Sequence, residues 1–375
     1  MSRPVGGIHQ FVPMLHVGDA VGRHTLALQA SVRAGGVESQ IFVERDDPDT
    51  SALTVAARHY PEVATAGDLL VYQFATESAL VPWLVARSEP LVVNYHNVTP
   101  PELFAPWDNA LARAQLRAQG QLRLLARRAL LGVAVSEFNR ADLVAAGLGP
   151  TVTVPPIMDP LPRQAGRVPE PAAGVARPRA GARWLVVGRL APNKAVEAAV
   201  DALFVHRRRF DPEATLTVVG KPALAGYAAA LADHVAALGL AHAVRFAGRV
   251  DDAGLAEEYG RADVLVVTSE HEGFCLPVVE AMAYGVPVVA YRQGALPEVL
   301  ADAGVLVAGK DPFDLARAAH RVCADPGRAA DLVDRGRRRL AELHLDDAGE
   351  RLGTLLRALQ ADGPRVLERL GTRST

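Results

Sequence analysis

Residues 264–299 read VLVVTSEHEGFCLPVVEAMAYGVPVVAYRQGALPEV. Val264 to Val267 form a short apolar run, a polar turn follows, and Pro277 suits the first turn of a helix, where its missing N–H is not needed. A second β-branched run, Val286 to Ala290, then resumes the strand pattern. Strand, helix and strand in that order predict a βαβ unit. The same alternation extends in both directions. Towards the C-terminus a strand is expected at Gly304 to Val307. Towards the N-terminus, strands are expected at Trp184 to Val187, Thr215 to Val219 and Val244 to Ala247, with helices between them.

The first half repeats the pattern. Strands are expected near Ile8 to Val12, Ser39 to Val43, Leu69 to Gln73, Leu91 to Tyr95 and Val133 to Ser136, and helices over Val21 to Arg33, Ala110 to Leu130 and Asn139 to Ala145. Between the halves, LPRQAGRVPEPAAGVARPRAGAR (161–183) breaks the alternation with repeated Pro, Gly and Ala. The expected organisation is an α/β domain over 1–165, a linker over 166–182, a second α/β domain over 183–350 and a C-terminal helix over 351–375 returning to the first. Two doubly wound sheets of this kind would hold a ligand in a cleft between their carboxyl ends.

The chain has 375 residues, half of them apolar, with a mean hydropathy of +0.11, enough for two cores. Its 40 basic and 42 acidic groups nearly cancel, so no electrostatic footprint points to nucleic acid. Residues 1–160 hold 12 basic and 15 acidic groups, so charge is not segregated. Two cysteines, Cys275 and Cys323, build no disulfide framework and point to a reducing, cytosolic compartment. There is no signal-peptide pattern, no uncharged apolar run of about 18 residues and no zinc spacing. Only three basic residues are lysines: Lys194, Lys221 and Lys310. A GC-rich genome accounts for the arginines. A lysine retained in a turn suggests a geometric need.

No Walker A sequence or GxGxxG fingerprint is present, which disfavours P-loop kinases and dinucleotide-dependent dehydrogenases. Two other anion devices are. VVGRLAPNK (186–194) places Gly188 after a strand and then Arg189 and Lys194 on the loop into a helix, a fork of donors and a point charge suited to a diphosphate. Downstream, backbone amides around Gly273, Phe274, Cys275 and Leu276 open the helix that Pro277 begins, an anion site in its own right. Glu272 before that helix and Glu280 within it suit sugar and ribose hydroxyls.

Glu272 and Glu280 stand in an E-x7-E arrangement, and SEHEGFCLPVVEAMAYGVPVVAYRQGALPEV resembles the signature of the retaining GT4 glycosyltransferases, the glycosyl transferases group 1. GRLAPNKA resembles that family's GRL-x3-K loop, with Ala195 where glycine is usual. LHVGDAVGRHTLALQASVRAGG and VAVSEFNRADL resemble its first glycine loop and the close of its N-terminal domain, so the likeness covers about the whole chain. It implies the GT-B fold and a metal-independent, retaining transfer from an NDP-sugar, UDP being favoured, to a hydroxyl or amine. The departing phosphate oxygen would take the acceptor's proton, with no protein nucleophile and no cofactor.

Carried onto this chain, the resemblance gives Arg189 and Lys194 the diphosphate, Glu280 the ribose and Glu272 the transferred sugar, with amides from Gly273 to Val278 and Gly18 helping at the phosphates. The backbone near Val219, Gly220, Gly248, Arg249 and Val250 would meet the base, and His96 the donor sugar. Acceptor candidates are Asp19, which could equally cap the next helix, and Asn97, with His9, His16 and Tyr95 as weaker ones. Cys275 reads as a buried spacer. Arg113, Arg117, Arg123, Arg127 and Arg128 form a basic stretch that reads as a solvated face, with membrane-surface contact as its alternative. The other readings of function are a non-catalytic nucleotide-sugar-binding subunit and an epimerase on the same fold. The acceptor itself, a glycan, a lipid carrier or another small molecule, is not legible.

Overall fold

The computed structural model describes residues 6–158 and 181–371. The expected linker, except Gly181 and Ala182, lies outside these. Two compact units result. Unit 1 comprises Met1–Pro101, Arg113–Pro160 and His344–Thr375, and unit 2 comprises Glu102–Ala112 and Leu161–Leu343.

Unit 1 contains β1 (Ile8–Val12), α1 (Ala20–Ala34), β2 (Ile41–Val43), β3 (Val55–Ala56), α2 (Tyr60–Val63), β4 (Leu69–Phe74), α3 (Leu80–Val85) and β5 (Leu91–Tyr95). α4 (Asn109–Ala126), which starts among residues grouped with unit 2, leads to β6 (Leu131–Ala134), α5 (Glu137–Ala145) and β7 (Thr151–Thr153). The seven strands lie in the order β3-β2-β1-β4-β5-β6-β7, and every pair is parallel. The strand expected at Val133 to Ser136 lies two residues earlier. Ser136 is withdrawn from the sheet because its side chain caps α5, accepting from the Asn139 amide at 3.1 Å. β3, β7, α2 and α3 were not expected, being too short to show a periodicity.

One face of this sheet packs an aromatic core of Phe11, Phe42, Tyr60, Tyr72, Phe74 and Tyr95. The other is covered by Leu28 and Val32 of α1 and by Leu352, Leu356 and Leu359 of α13 (Ala348–Ala361), which α14 (Gly363–Gly371) follows. Each leucine so buried is worth about 1.5–3 kcal/mol. Polar contacts pin α13: Gln360 donates to the carbonyls of Gly6, Gly7 and Gly67, and the Ser31 hydroxyl to that of Gly349.

Unit 2 runs β8 (Arg183–Val187), α6 (Val196–Arg209), β9 (Thr215–Val219), α7 (Ala225–Ala237), β10 (Val244–Gly248), α8 (Asp252–Arg261) and β11 (Val264–Val267). It continues through α9 (Leu276–Ala283), β12 (Val288–Tyr291), α10 (Leu296–Leu300), β13 (Val305–Val307), α11 (Pro312–Cys323) and α12 (Pro326–Glu342). The parallel order is β10-β9-β8-β11-β12-β13, over a core that includes Trp184, Leu203, Leu216 and Leu315. Residues 264–291 thus form the expected strand, helix and parallel strand.

Candidate active site

Three neighbouring strands of unit 2 end in glycines with positive φ: Gly188 (+149°), Gly220 (+145°) and Gly248 (+67°). Their backbones bond side by side, Gly188 N–H to Val219 O at 2.9 Å and Gly220 N–H to Gly248 O at 2.8 Å. A Cβ on Gly220 would stand 1.9 Å from the Gly188 carbonyl oxygen, so no side chain fits. These glycine turns form a ledge at the carboxyl end of the sheet, where parallel α/β sheets bind ligands.

Beside the ledge, two loops are strapped together. The Thr268 hydroxyl donates to Lys194 O at 3.0 Å and the Glu270 amide to Asn193 O at 2.9 Å. Across this seam Lys194 Nζ donates to Glu272 Oε1 at 2.5 Å, and the Ser269 hydroxyl donates to the same oxygen at 2.7 Å. Burial works against the Lys194 charge, but the Glu272 carboxylate outweighs it and holds the ammonium above its ordinary pKa. Lys194 is a fixed cation here, only 20% of its side chain being exposed. Gly294 (φ +54°) supports Glu272 from behind, where any Cβ would strike the Glu272 backbone at 2.5 Å. Lys310 pairs with Glu270 on the same loop at 2.7 Å. Arg189 is exposed on its turn, and Lys221 lends its carbonyl to the Leu190 amide.

α9 starts without a side-chain cap, at Cys275 with φ +76°. The expected row of amides from Gly273 to Val278 is narrower in fact: Pro277 has none, and the Val278 amide bonds to Cys275 O at 3.1 Å. Gly273, Phe274 and Cys275 are buried, while Leu276 and Pro277 are half-buried. Burial and then the Glu272 charge push the Cys275 thiol well up, so it is a thiol and not a thiolate nucleophile. Glu280, 8% exposed, accepts from the Tyr259 hydroxyl at 2.8 Å, and Tyr259 stacks on Tyr284 at 5.0 Å. Burial, then Glu280, raises the Tyr259 pKa well above the phenolic range, keeping it a donor. The sequence reading missed Tyr259, whose link to Glu280 spans 21 residues. Exposed Arg249 and half-buried Val250 lie in the turn before α8, which Asp251 caps through Gly254 N–H at 2.8 Å.

In unit 1, Gly18 is exposed in the turn after β1, and Asp19 takes the capping role, accepting from Gly22 N–H at 2.7 Å. His16 pairs with Asp47 at 3.0 Å. Tyr95 is corrected from acceptor candidate to core residue. It is 2% exposed, donates to Asp142 Oδ2 and accepts from Val98 N–H, both at 3.1 Å, so its hydroxyl is spent. His9 is likewise buried, early in β1, against Phe42 and Tyr60. Asn97 adopts φ +105°, an uncommon conformation for a side chain-bearing residue. His96, half-buried, bonds through Nε2 to Gln73 Oε1 at 2.6 Å, and burial lowers its pKa to about 4. Of the five arginines near α4, Arg117 pairs with Glu77, and Arg128 donates to the carbonyls of Arg87 and Glu89. Among the described residues no helix is long and apolar enough to cross a membrane.

The family model for glycosyl transferases group 1 matches residues 176–339, which contain Arg189, Lys194, Gly220, Glu272 and Glu280. D-inositol 3-phosphate glycosyltransferase 2 of Catenulispora acidiphila is 33% identical over 273 residues, 70% of this chain and 64% of that relative's length. A D-inositol 3-phosphate glycosyltransferase of Streptosporangium roseum is 28% identical over 361 residues, 82% of each chain. Among solved structures, Anabaena Alr3699/HepE in complex with UDP and glucose superposes with a TM-score of 0.71 at 21% identity, covering 94% of this chain and all of that one. Sucrose-phosphate synthase of Thermosynechococcus elongatus gives 0.71 at 22% identity over 94% of this chain and 99% of that one. The two parallel sheets are those of the GT-B fold.

Proposed function

Because the chain belongs to the glycosyl transferases group 1 family, we propose that it is a retaining glycosyltransferase drawing its sugar from a nucleoside diphosphate. The observation that carries this reading is the Lys194–Glu272 pair on two strapped loops beside a side chain-free ledge. In the donor's absence Glu272 neutralises Lys194. An arriving diphosphate takes over the ammonium, together with Arg189, and frees the carboxylate to accept from hydroxyls of the transferred sugar. As the glycosidic bond to phosphate breaks, negative charge grows where Lys194 and Arg189 already stand, which is electrostatic stabilisation of the transition state. Glu280, oriented by Tyr259, takes the ribose hydroxyls. The Gly220 and Gly248–Val250 turns flank the base. His96 meets a sugar hydroxyl, and Asp19, His16 and Asn97 are the residues to test towards the acceptor.

UDP is the favoured nucleotide, since a structural relative is described with UDP and glucose. A polyol phosphate is the first acceptor class to try, given the names of the sequence relatives. Thermal-shift screening with UDP-, GDP- and ADP-sugars tests the donor site. One of them should raise the melting temperature of the wild type, and Lys194→Ala and Glu280→Ala should lose that shift. No stabilisation by any donor, with both variants behaving as wild type, removes the assignment. Product analysis then separates a transferase, which yields a glycoside and a nucleoside diphosphate, from an epimerase, which yields an altered sugar.

A further inference from the structure

On the α1 face of the unit 1 sheet, three strands carry buried amides where apolar residues are expected: Gln10 in β1, Gln73 in β4 and Asn94 in β5, each no more than 1% exposed. They form a continuous chain. Gln10 Nε2 donates to the Thr25 backbone carbonyl at 2.9 Å, and Gln73 Nε2 donates to Gln10 Oε1 at 2.7 Å. Gln73 Oε1 in turn faces Asn94 Nδ2 at 3.0 Å and His96 Nε2 at 2.6 Å.

The direction of this chain follows from one fixed group. A backbone carbonyl only accepts, so Gln10 must turn its nitrogen to Thr25 and its oxygen to Gln73. Gln73 must then offer its nitrogen to Gln10 and its oxygen to His96. An amide oxygen only accepts, so the proton of a neutral His96 ring must sit on Nε2. Nδ1 is left bare, and it has no partner among the described residues. We propose that Gln73, with Gln10 behind it, is a positioning residue that fixes the tautomer of His96 and makes its Nδ1 a hydrogen-bond acceptor for a sugar hydroxyl. The role of the hydroxyl rests on the glycosyltransferase reading; the tautomer does not.

The far end of the network sharpens the argument. His24, 1% exposed, faces an N–H on each ring nitrogen, Asn94 Nδ2 at 2.6 Å and the Ile157 amide at 3.0 Å. A neutral imidazole cannot accept at both, so the network holds one mismatch. The opposite polarity, imposed from Ile157, would set Gln10 Oε1 against the Thr25 oxygen. It would also leave the Asn94 amine unpaired where its oxygen now stands unpaired. A buried N–H without an acceptor is the rarer defect. The mismatch therefore rests on His24, and His96, edge-on to it at 4.8 Å, keeps a defined form.

Nitrogen NMR of ¹⁵N-histidine-labelled protein, with the His96 signals assigned by their loss in His96→Asn, reads the tautomer with no substrate present. The expected result is protonated Nε2 and bare Nδ1 in the wild type. In Gln10→Leu, which does not touch His96, a mixture of the two tautomers should appear, in a protein that still unfolds cooperatively but at a lower temperature, because the Gln73 amine loses its acceptor. Gln73→Glu keeps an oxygen on Nε2–H, preserves that tautomer, and carries the test should Gln10→Leu not fold. A wild-type His96 protonated on Nδ1, a Gln10→Leu protein with an unchanged single tautomer, or loss of Nε2–H in Gln73→Glu overturns the proposal. If the tautomer behaves as expected but no NDP-sugar binds, the relay stands and the glycosyltransferase reading falls. If donors bind, Gln10→Leu should lower kcat more than it weakens donor binding.

Discussion

The two sheets place their polar chemistry in different parts of the chain. In unit 1 it lies inside the strands: Gln10, Gln73 and Asn94 are buried in β1, β4 and β5 and are hydrogen-bonded to one another in a chain. In unit 2, β11 and β12 read VLVV and VVAY, and the chemistry has moved past the strand ends onto turns, where backbone atoms and strapped loops position Lys194 and Glu272. A buried amide chain fixes direction and tautomer, because each member is held by hydrogen bonds that are costly to leave unmade. A turn built from glycines instead clears space for a large anion and lets main chain approach it. On the function proposed above, one unit orients a side chain and the other receives a ligand.

Gly220→Ala attacks the turn side of that contrast most severely. The new Cβ would lie 1.9 Å from a carbonyl oxygen at φ +145°, so the expected cost is on the order of 3 kcal/mol from clash and backbone strain together. Urea denaturation should show it, and any donor-induced thermal shift should vanish. A loss below about 1 kcal/mol would mean that the ledge is pliable and that unit 2 does not depend on backbone shape.

Acid probes the buried imidazoles, which the units hold differently. His24 and His96 in unit 1 are hydrogen-bonded, whereas neither nitrogen of His206 in unit 2 has a partner among the described residues. Burial depresses His206 to about 4. Between its ordinary value, near 6.5, and about 4, the unfolded chain therefore binds a proton that the folded one refuses, and stability falls as pH falls through that window. The contribution at stake is roughly 2–3 kcal/mol. Denaturant unfolding at pH 7 and pH 4 should show a smaller acid loss for His206→Leu than for the wild type. Equal losses would show that the acid-sensitive step does not involve His206.

How much of this the sequence displays depends on how local the feature is. β1, β5, β9 and β11 stand where their apolar runs begin and end, and the glycines, Lys194 and both glutamates are visible as motifs. The Lys194–Glu272 bond joins residues 78 apart, and Tyr259 of α8 reaches Glu280 of α9 past the intervening strand β11. Neither pairing has a periodicity to betray it. The amides of unit 1 were visible as breaks in the apolar strands LLVYQF and LVVNY, but which strands neighbour one another decides what they do. Tyr95 and His9 mislead for the converse reason: a polar tip on an aromatic body reads as a site until its partners are known.

Tyr259→Phe is a milder test, because it removes one side-chain support from a site otherwise held by backbone. The hydroxyl donates to a buried carboxylate, so its loss should cost about 1.5 kcal/mol and weaken donor binding through the ribose contact while leaving turnover of bound donor nearly intact. A large fall in turnover with unchanged donor binding would assign Glu280 to the reacting centre and not to the ribose.

Ala195→Gly should have the smallest effect. Ala195 occupies the left-handed region (φ +44°, ψ +51°) between the Pro192–Lys194 turn and α6, at the position where relatives by resemblance carry glycine. Removing its Cβ relieves about 1–2 kcal/mol of steric cost. Against that stand about 0.4–1 kcal/mol from the freer unfolded chain and about 0.8 kcal/mol for a methyl that is 4% exposed. The terms nearly cancel, so stability should move by no more than about 0.5 kcal/mol, and turnover should stay within twofold, which is why alanine is tolerated on a loop shaped for glycine. A loss above about 1.5 kcal/mol in denaturant unfolding would show that the methyl, and not the backbone, holds Lys194 over the ledge. The contrast between a unit ordered by side chains and one ordered by main chain would then fail at the residue next to the central cation.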